Sequence, residues 1–305
     1  MKKVFLYGAL LGTTVGVFGG ITTAFAEAPA VDYETPTKAN SDAKIKFIDG
    51  GDPEIVDPID PTKVVDPVDP VNPNRGDLMI QYVSNFDFGV RKRVTSKELT
   101  ANAKAVKVVP KGEKKEDVSK QYEVMPFVST LDMRPEREGG WNLQVNQGEF
   151  TFKKDGKNIP IKGAEMIFTN TNYADYINGG GAQPNAPQIV DKATSKLDYD
   201  LKGTNYTQYL DGLGNGLKIT GTNTPVAFAD ASKTDQGVGS YSLALGNKLV
   251  DDAKDQTSKQ IADKEPAEVY KSTNGVTFRM PKQTAVGTDS EYHATVTWTL
   301  APGIK

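Results

Sequence analysis

Two short patterns in this chain could do chemistry: Trp141-Asn142-Leu143 and Trp298-Thr299-Leu300, built on the only two tryptophans. Residues two apart on a strand point to the same face, so each pattern sets an indole beside a branched aliphatic. Two chemistries are open to such a doublet. As an exposed or semi-exposed platform, it would stack indole faces on the C–H faces of sugars or fill a pocket at an interface. As interior anchors, the same residues would brace two sheets against each other. The spacing alone allows both.

Little else points to chemistry. His293 is the only histidine and cysteine is absent, which removes His-dependent triads, multi-histidine metal sites, zinc thiolates and thiol nucleophiles. On its strand, His293 shares a face with Thr295, Thr297 and Thr299, opposite Trp298 and Leu300, so it is expected to face solvent. A pair of carboxylates could hydrolyse glycosidic bonds without histidine. The aspartates and glutamates lie mostly in turns and charged runs, and no aromatic-lined pair stands out. Asp230 to Gly237 has spaced oxygen ligands but no glycine in the calcium-loop position, and reads as a turn. Arg75-Gly76-Asp77 is an adhesive tripeptide by letter and a turn by composition. The expectation is therefore a binding protein, not an enzyme, with no metal and no cofactor.

The elements that would position the doublets read as strands. They are Leu78–Val83, Glu123–Leu131, Trp141–Val145, Met166–Phe168, Val226–Phe228, Tyr241–Leu245, Val276–Met280 and Tyr292–Leu300. Phe150–Phe152 and Ile159–Ile161 flank Asp155-Gly156, a hairpin signal, and Pro160 puts the return strand at an edge or bulge. Many short strands between turn residues predict an all-β, antiparallel, sandwich-like single domain with long loops over residues 75–305. Ser96–Val106 and Asp252–Ala262 are expected as short helices. Residues 171–217, rich in Asn, Gly and Tyr, are expected as a long functional loop.

Before the domain, residues 27–74 carry a run of Asp-Pro pairs, from Asp52-Pro53 to Asp69-Pro70. Proline's fixed φ and its push on the preceding residue predict a disordered, extended tether. Residues 1–26 have the layout of a secretory signal: Lys2 and Lys3, an apolar stretch, and an Ala24-Phe25-Ala26 cleavage site. Without them the chain holds 34 basic and 39 acidic residues, a net charge of −5, which does not favour nucleic acid or anionic lipid headgroups. No second long apolar run follows, so no membrane span is expected after cleavage. The sequence shows no lipidation cysteine and no Leu-Pro-x-Thr-Gly signal, so non-covalent retention is expected.

The text around the doublets resembles a known family. Gly76-Asp77-Leu78 leads to Asn85-Phe86-Asp87-Phe88-Gly89, and Pro126 to Arg134 precedes Gly140-Trp141-Asn142-Leu143-Gln144-Val145. Ile161-Lys162-Gly163-Ala164 follows, and Tyr292 to Pro302 forms a terminal block. In this order they resemble the WxL-domain cell-surface proteins of Gram-positive bacteria. Met133, between Asp132 and Arg134, departs from the commoner Asp-Asn-Arg text. The resemblance implies a secreted surface protein attached non-covalently to peptidoglycan, with Trp141, Leu143, Trp298 and Leu300 as the cell-wall-binding residues. It also implies other surface proteins of the same system, or host matrix proteins, as partners. The alternative is an adhesin or scaffold whose main ligand is a host or bacterial surface protein, with the 171–217 loop as its surface.

Overall fold

The computed structural model describes residues 32–35, 38–40, 45–46, 54–93, 95–137, 139–173, 185–190, 193, 216–233, 236–253, 255, 263–287 and 290–303. In chain order the first strands are β1 (Asp32–Thr35), β2 (Lys38–Asn40), β3 (Ile55–Val56), β4 (Val64–Pro67), β5 (Leu78–Val83), β6 (Leu99–Lys104) and β7 (Val106–Pro110). Next come β8 (Tyr122–Val124), β9 (Phe127–Asp132), β10 (Trp141–Gln147), β11 (Thr151–Lys154), β12 (Lys157–Pro160), β13 (Glu165–Phe168) and β14 (Asn172–Tyr173). The rest are β15 (Gln188–Ile189), β16 (Leu217–Thr220), β17 (Val226–Ala231), β18 (Gly239–Ala244), β19 (Leu249–Ala253), β20 (Val269–Met280) and β21 (Val296–Pro302).

The chain divides into two compact units after Gly50. In the first, β1 and β2 form an antiparallel hairpin with Asp32 opposite Asn40. The second carries several small antiparallel sheets, so the expected all-β antiparallel class holds while a simple two-sheet sandwich does not. The doublets sit in a sheet of order β15-β17-β10-β21. A second sheet runs β16-β13-β20-β19, with β6 also paired to β20. A third runs β14-β18-β9-β5, and a fourth β3-β4-β7-β8. Burial alternates along β10, while β13 and most of the twelve-residue β20 are buried along their length. The main core gathers Trp141, Leu143, Met166, Phe168, Phe228, Leu243 and Val276, among others. A smaller cluster holds Ile55, Val65, Tyr82, Val106, Val108, Val124 and Phe127.

The hairpin over Asp155-Gly156 forms as expected, pairing β11 with β12. Its turn residues have φ of 49° and 76°, the double left-handed geometry that such a two-residue loop requires. Ser96–Val106 is a correction: it holds strand β6, not a helix. Ala101 and Ala103 are buried at alternate positions, and β6 pairs with β20 from Leu99–Met280 to Asn102–Thr277. The long partner strand supplies hydrogen bonds that local propensity cannot weigh. Of the second expected helix, Asp252 and Ala253 lie in strand β19, and residues 254 and 256–262 lie outside the described residues. Residues 1–26 and most of 171–217 also lie outside them, although strands β14 and β15 belong to that stretch.

The tether is a correction from residue 54 onward. Ile55, Val56, Val64 and Val65 pair in a hairpin, and β4 joins β7. The turn between them is built by an aspartate of the Asp-Pro run. Asp57 is 3% exposed, and its Oδ1 accepts hydrogen bonds from the Ile59 and Asp60 amides at 2.7 and 3.1 Å. Its Oδ2 accepts the Tyr122 hydroxyl at 2.5 Å, and burial with this carboxylate contact pushes the Tyr122 phenol well above its usual range. Ser242 Oγ donates to Val56 O at 2.6 Å, and Asn72 Nδ2 to Ile80 O at 2.7 Å. Pro58 and Pro61 lie in the β3–β4 turn, and Ile55 and Val65 enter the smaller core with Ile59 packed against it. Asp57→Ala should therefore destabilise the protein by about 1–3 kcal/mol, because the Ile59 amide and Tyr122 hydroxyl lose their acceptor. A lowered thermal midpoint is the check; an unstructured segment would show no change.

Candidate functional site

Strands β10 and β21 are antiparallel neighbours although about half the chain separates them. Leu143 lies opposite Leu300, Val145 opposite Trp298, and Trp141 opposite Pro302. Strand parity then puts Trp141, Leu143, Val145, Trp298 and Leu300 on one face, with the leucines paired and the indoles at opposite ends. The two doublets thus form one constellation, as a shared site requires.

That face points inward. Trp141 is 1% exposed and Leu143 0%, while Trp298 and Leu300 are half-buried. Trp298 packs edge-to-face on Phe228 and Phe168, with ring centroids 5.0 and 6.0 Å apart. An indole and an aliphatic at adjacent inward positions fill the space between sheets too well to remain in water. An exposed platform that includes Trp141 and Leu143 is therefore excluded: neither side chain reaches solvent.

The corner before β10 explains how Trp141 is held. Its Nε1 donates to Gly237 O over 3.4 Å. Gly140 has φ +62°, and a Cβ there would fall 1.7 Å from Ala231 O, so only glycine lets β10 enter beside β17. Beneath this corner lies a buried ion cluster that sequence reading did not pick out. Asp132 is fully buried, and Arg134 reaches it through Nε and Nη2, each at 2.9 Å. Arg137 Nε donates to Asp132 Oδ2 at 2.8 Å. Arg134 Nη2 also donates to Gly140 O at 2.8 Å, and Arg137 Nη2 to Gln236 O at 2.6 Å. Burial raises the Asp132 pKa, but the hydrogen bonds from the two arginines outweigh it and hold the carboxyl below its usual value. The two arginines thereby tie the residues flanking Trp141 to strand β9. Asp-x-Arg text was visible in the sequence; its convergence with Arg137 needed the fold.

Two surfaces border the constellation. One is a groove of about 350 Å³, lined by Val296 and Trp298 of β21, by Ile80, Tyr82 and Val83 of β5, and by Pro70, Val71 and Asn72. Burial pushes the Tyr82 phenol up to about 12, so it stays neutral at the groove. The other is the outward face of β10 and β21, where Asn142, Gln144 and Asn146 lie opposite Ala301, Thr299 and Thr297. His293 is exposed, as expected, with its Nε2 3.6 Å from Glu291. Among the described residues no group of three or more Asp, Glu or His could hold a metal ion. No helix among them is long and apolar enough to cross a membrane.

The architecture and the paired doublets define an all-β protein in which two tryptophan–leucine motifs close a single sheet. Residues 34–302 match the sequence model of the family described as WxL domain surface cell wall-binding, and the chain belongs to that family. The match begins well before residue 75, in keeping with the folded Asp-Pro segment. No curated protein matches the chain, and no solved structure does.

Proposed function

We propose that this protein is exported and held non-covalently on Gram-positive peptidoglycan, acting by binding and not by catalysis. The observation that carries this reading is the family match over residues 34–302, which spans both motifs and the sheet they close. The family is one of cell wall-binding surface domains, and the signal-like residues 1–26 support export. Trp141 and Leu143 serve binding as positioning residues: they lock β10 to its neighbours. Trp298 and Leu300 do the same from β21, with part of Trp298 left open at the groove.

Full-length protein mixed with purified peptidoglycan sacculi should pellet with them at low and moderate salt, and release no soluble muropeptides. Protein that stays in the supernatant would overturn the wall reading, and released fragments would overturn the non-enzymatic one. A second reading, with another surface protein or a host matrix protein as main ligand, is favoured by one feature. The groove beside Trp298 includes Val71 and Val83, which are 39% and 38% exposed.

A further inference from the structure

We infer that the ligand-contacting surface is the outward face of β10 and β21, opposite the tryptophans. Its ligand would be the uncharged sugar strand of the wall polymer, read through N-acetyl and hydroxyl groups. This rests on the wall-binding reading above and adds to it a surface and a ligand chemistry.

Parity builds the face. Because Trp141, Leu143 and Val145 are buried, Asn142, Gln144 and Asn146 project the other way. On β21, Thr297 and Thr299 stand beside them and are exposed. Across β10 the row continues through β17 and β15, where Asn142 lies opposite Asp230 and Asp230 opposite Gln188. Asn142 and Thr299 are the middle residues of the two tryptophan–leucine motifs. The motifs that anchor the inner face therefore set the register of the outer one.

Its chemistry differs from that of the β11–β12 hairpin. That hairpin exposes Lys153, Lys154 and Lys157. Among the described residues the paired rows of the β10–β21 face carry amides and hydroxyls instead, with Asp230 as their one charge. Among the described residues these paired rows hold no Lys or Arg, and such a face, on a chain of net negative charge, does not complement an anionic wall polymer. A neutral sugar strand fits it, since amide side chains offer both donors and acceptors to N-acetyl and hydroxyl groups.

The face is also partly ordered in advance. Gln144 Nε2 donates to Asn142 Oδ1 at 3.0 Å, and Asn146 Nδ2 to Asn223 O at 3.0 Å. These bonds orient the amides and use only part of their capacity, which lowers the entropy lost when a ligand binds. The Asp230 Oδ1 atom is buried and makes no hydrogen bond, an unmet acceptor in the same row.

The test uses the full chain and three probes: intact sacculi, glycan strands of uncharged β-1,4-linked N-acetylglucosamine, and stem peptides released from sacculi by amidase digestion. Titration calorimetry should show binding to the glycan strands and none to the peptides. A Gln144→Ala, Thr299→Glu double variant should bind the strands at least about tenfold more weakly, with an unchanged melting temperature. Thr297→Glu, one step along the same face, should weaken binding in the same direction and serves if the double variant melts early. The inference is overturned if these variants fold and bind the strands like the native protein. It is equally overturned if the native protein pellets with sacculi but binds only the stem peptides. Failure of the native protein to pellet at all would instead refute the wall reading on which the inference rests.

Discussion

Trp141→Ala should cost about 3–5 kcal/mol of stability and lower both the thermal and the urea midpoint. The indole is 1% exposed, in the main core with Leu143 and Phe228. Its removal leaves a cavity between sheets and strips Gly237 O of the indole N–H donor. Gly237 already brings the backbone close to its rim, so little collapse can fill the space. Asn142→Ala, one residue along but facing outward, should change stability by no more than about 0.5 kcal/mol. The contrast within one motif is the check. Equal melting temperatures for the two variants would mean that Trp141 is not an interior residue.

Asp132→Ala should be of similar size, about 3–5 kcal/mol, because it leaves two arginines without their shared counter-charge. Arg137 and Arg134 side chains are only 7% and 19% exposed, so water cannot replace the carboxylate fully. The loss should be read by urea denaturation at neutral pH. The pH dependence follows from the direction of the shift. The folded carboxyl titrates below its unfolded value of 3.8, so it binds its proton less readily when folded. Its contribution is present above about pH 4 and is lost as pH falls through the lower folded value. Stability measured from pH 6 downward should fall in that acid range in the native protein, and fall less in Asp132→Asn. An identical acid limb in the two would show that Asp132 is not the group responsible. Since Arg134 and Arg137 also bond Gly140 O and Gln236 O, the damage should spread to the Trp141 corner.

Much was legible before any coordinates because it is local. Asp155-Gly156 specifies a two-residue hairpin through backbone freedom at those two positions alone. Alternation along Trp141–Val145 and Tyr292–Leu300 is enough to put each Trp and Leu on one face, and His293 on the other. The family likeness was legible for the same reason, since it rests on short blocks in order. Where local signals were strong but incomplete, they misled. The Asp-Pro pairs read as a spacer, yet Asp57 meets Tyr122 and Val56 meets Ser242 across long sequence separations. Ser96–Val106 read as a helix, yet β20 claims it as a strand.

The sequence by itself determined the all-β class, the parity of the doublets, and the absence of cysteine and of all but one histidine. Only the tertiary structure decided that β10 and β21 are neighbours, with Leu143 opposite Leu300, and that the tryptophans face the core. Parity along one strand states which residues share a face. Which face is dry depends on the sheets packed against it, and those are brought in by pairings too distant in sequence for local text to specify.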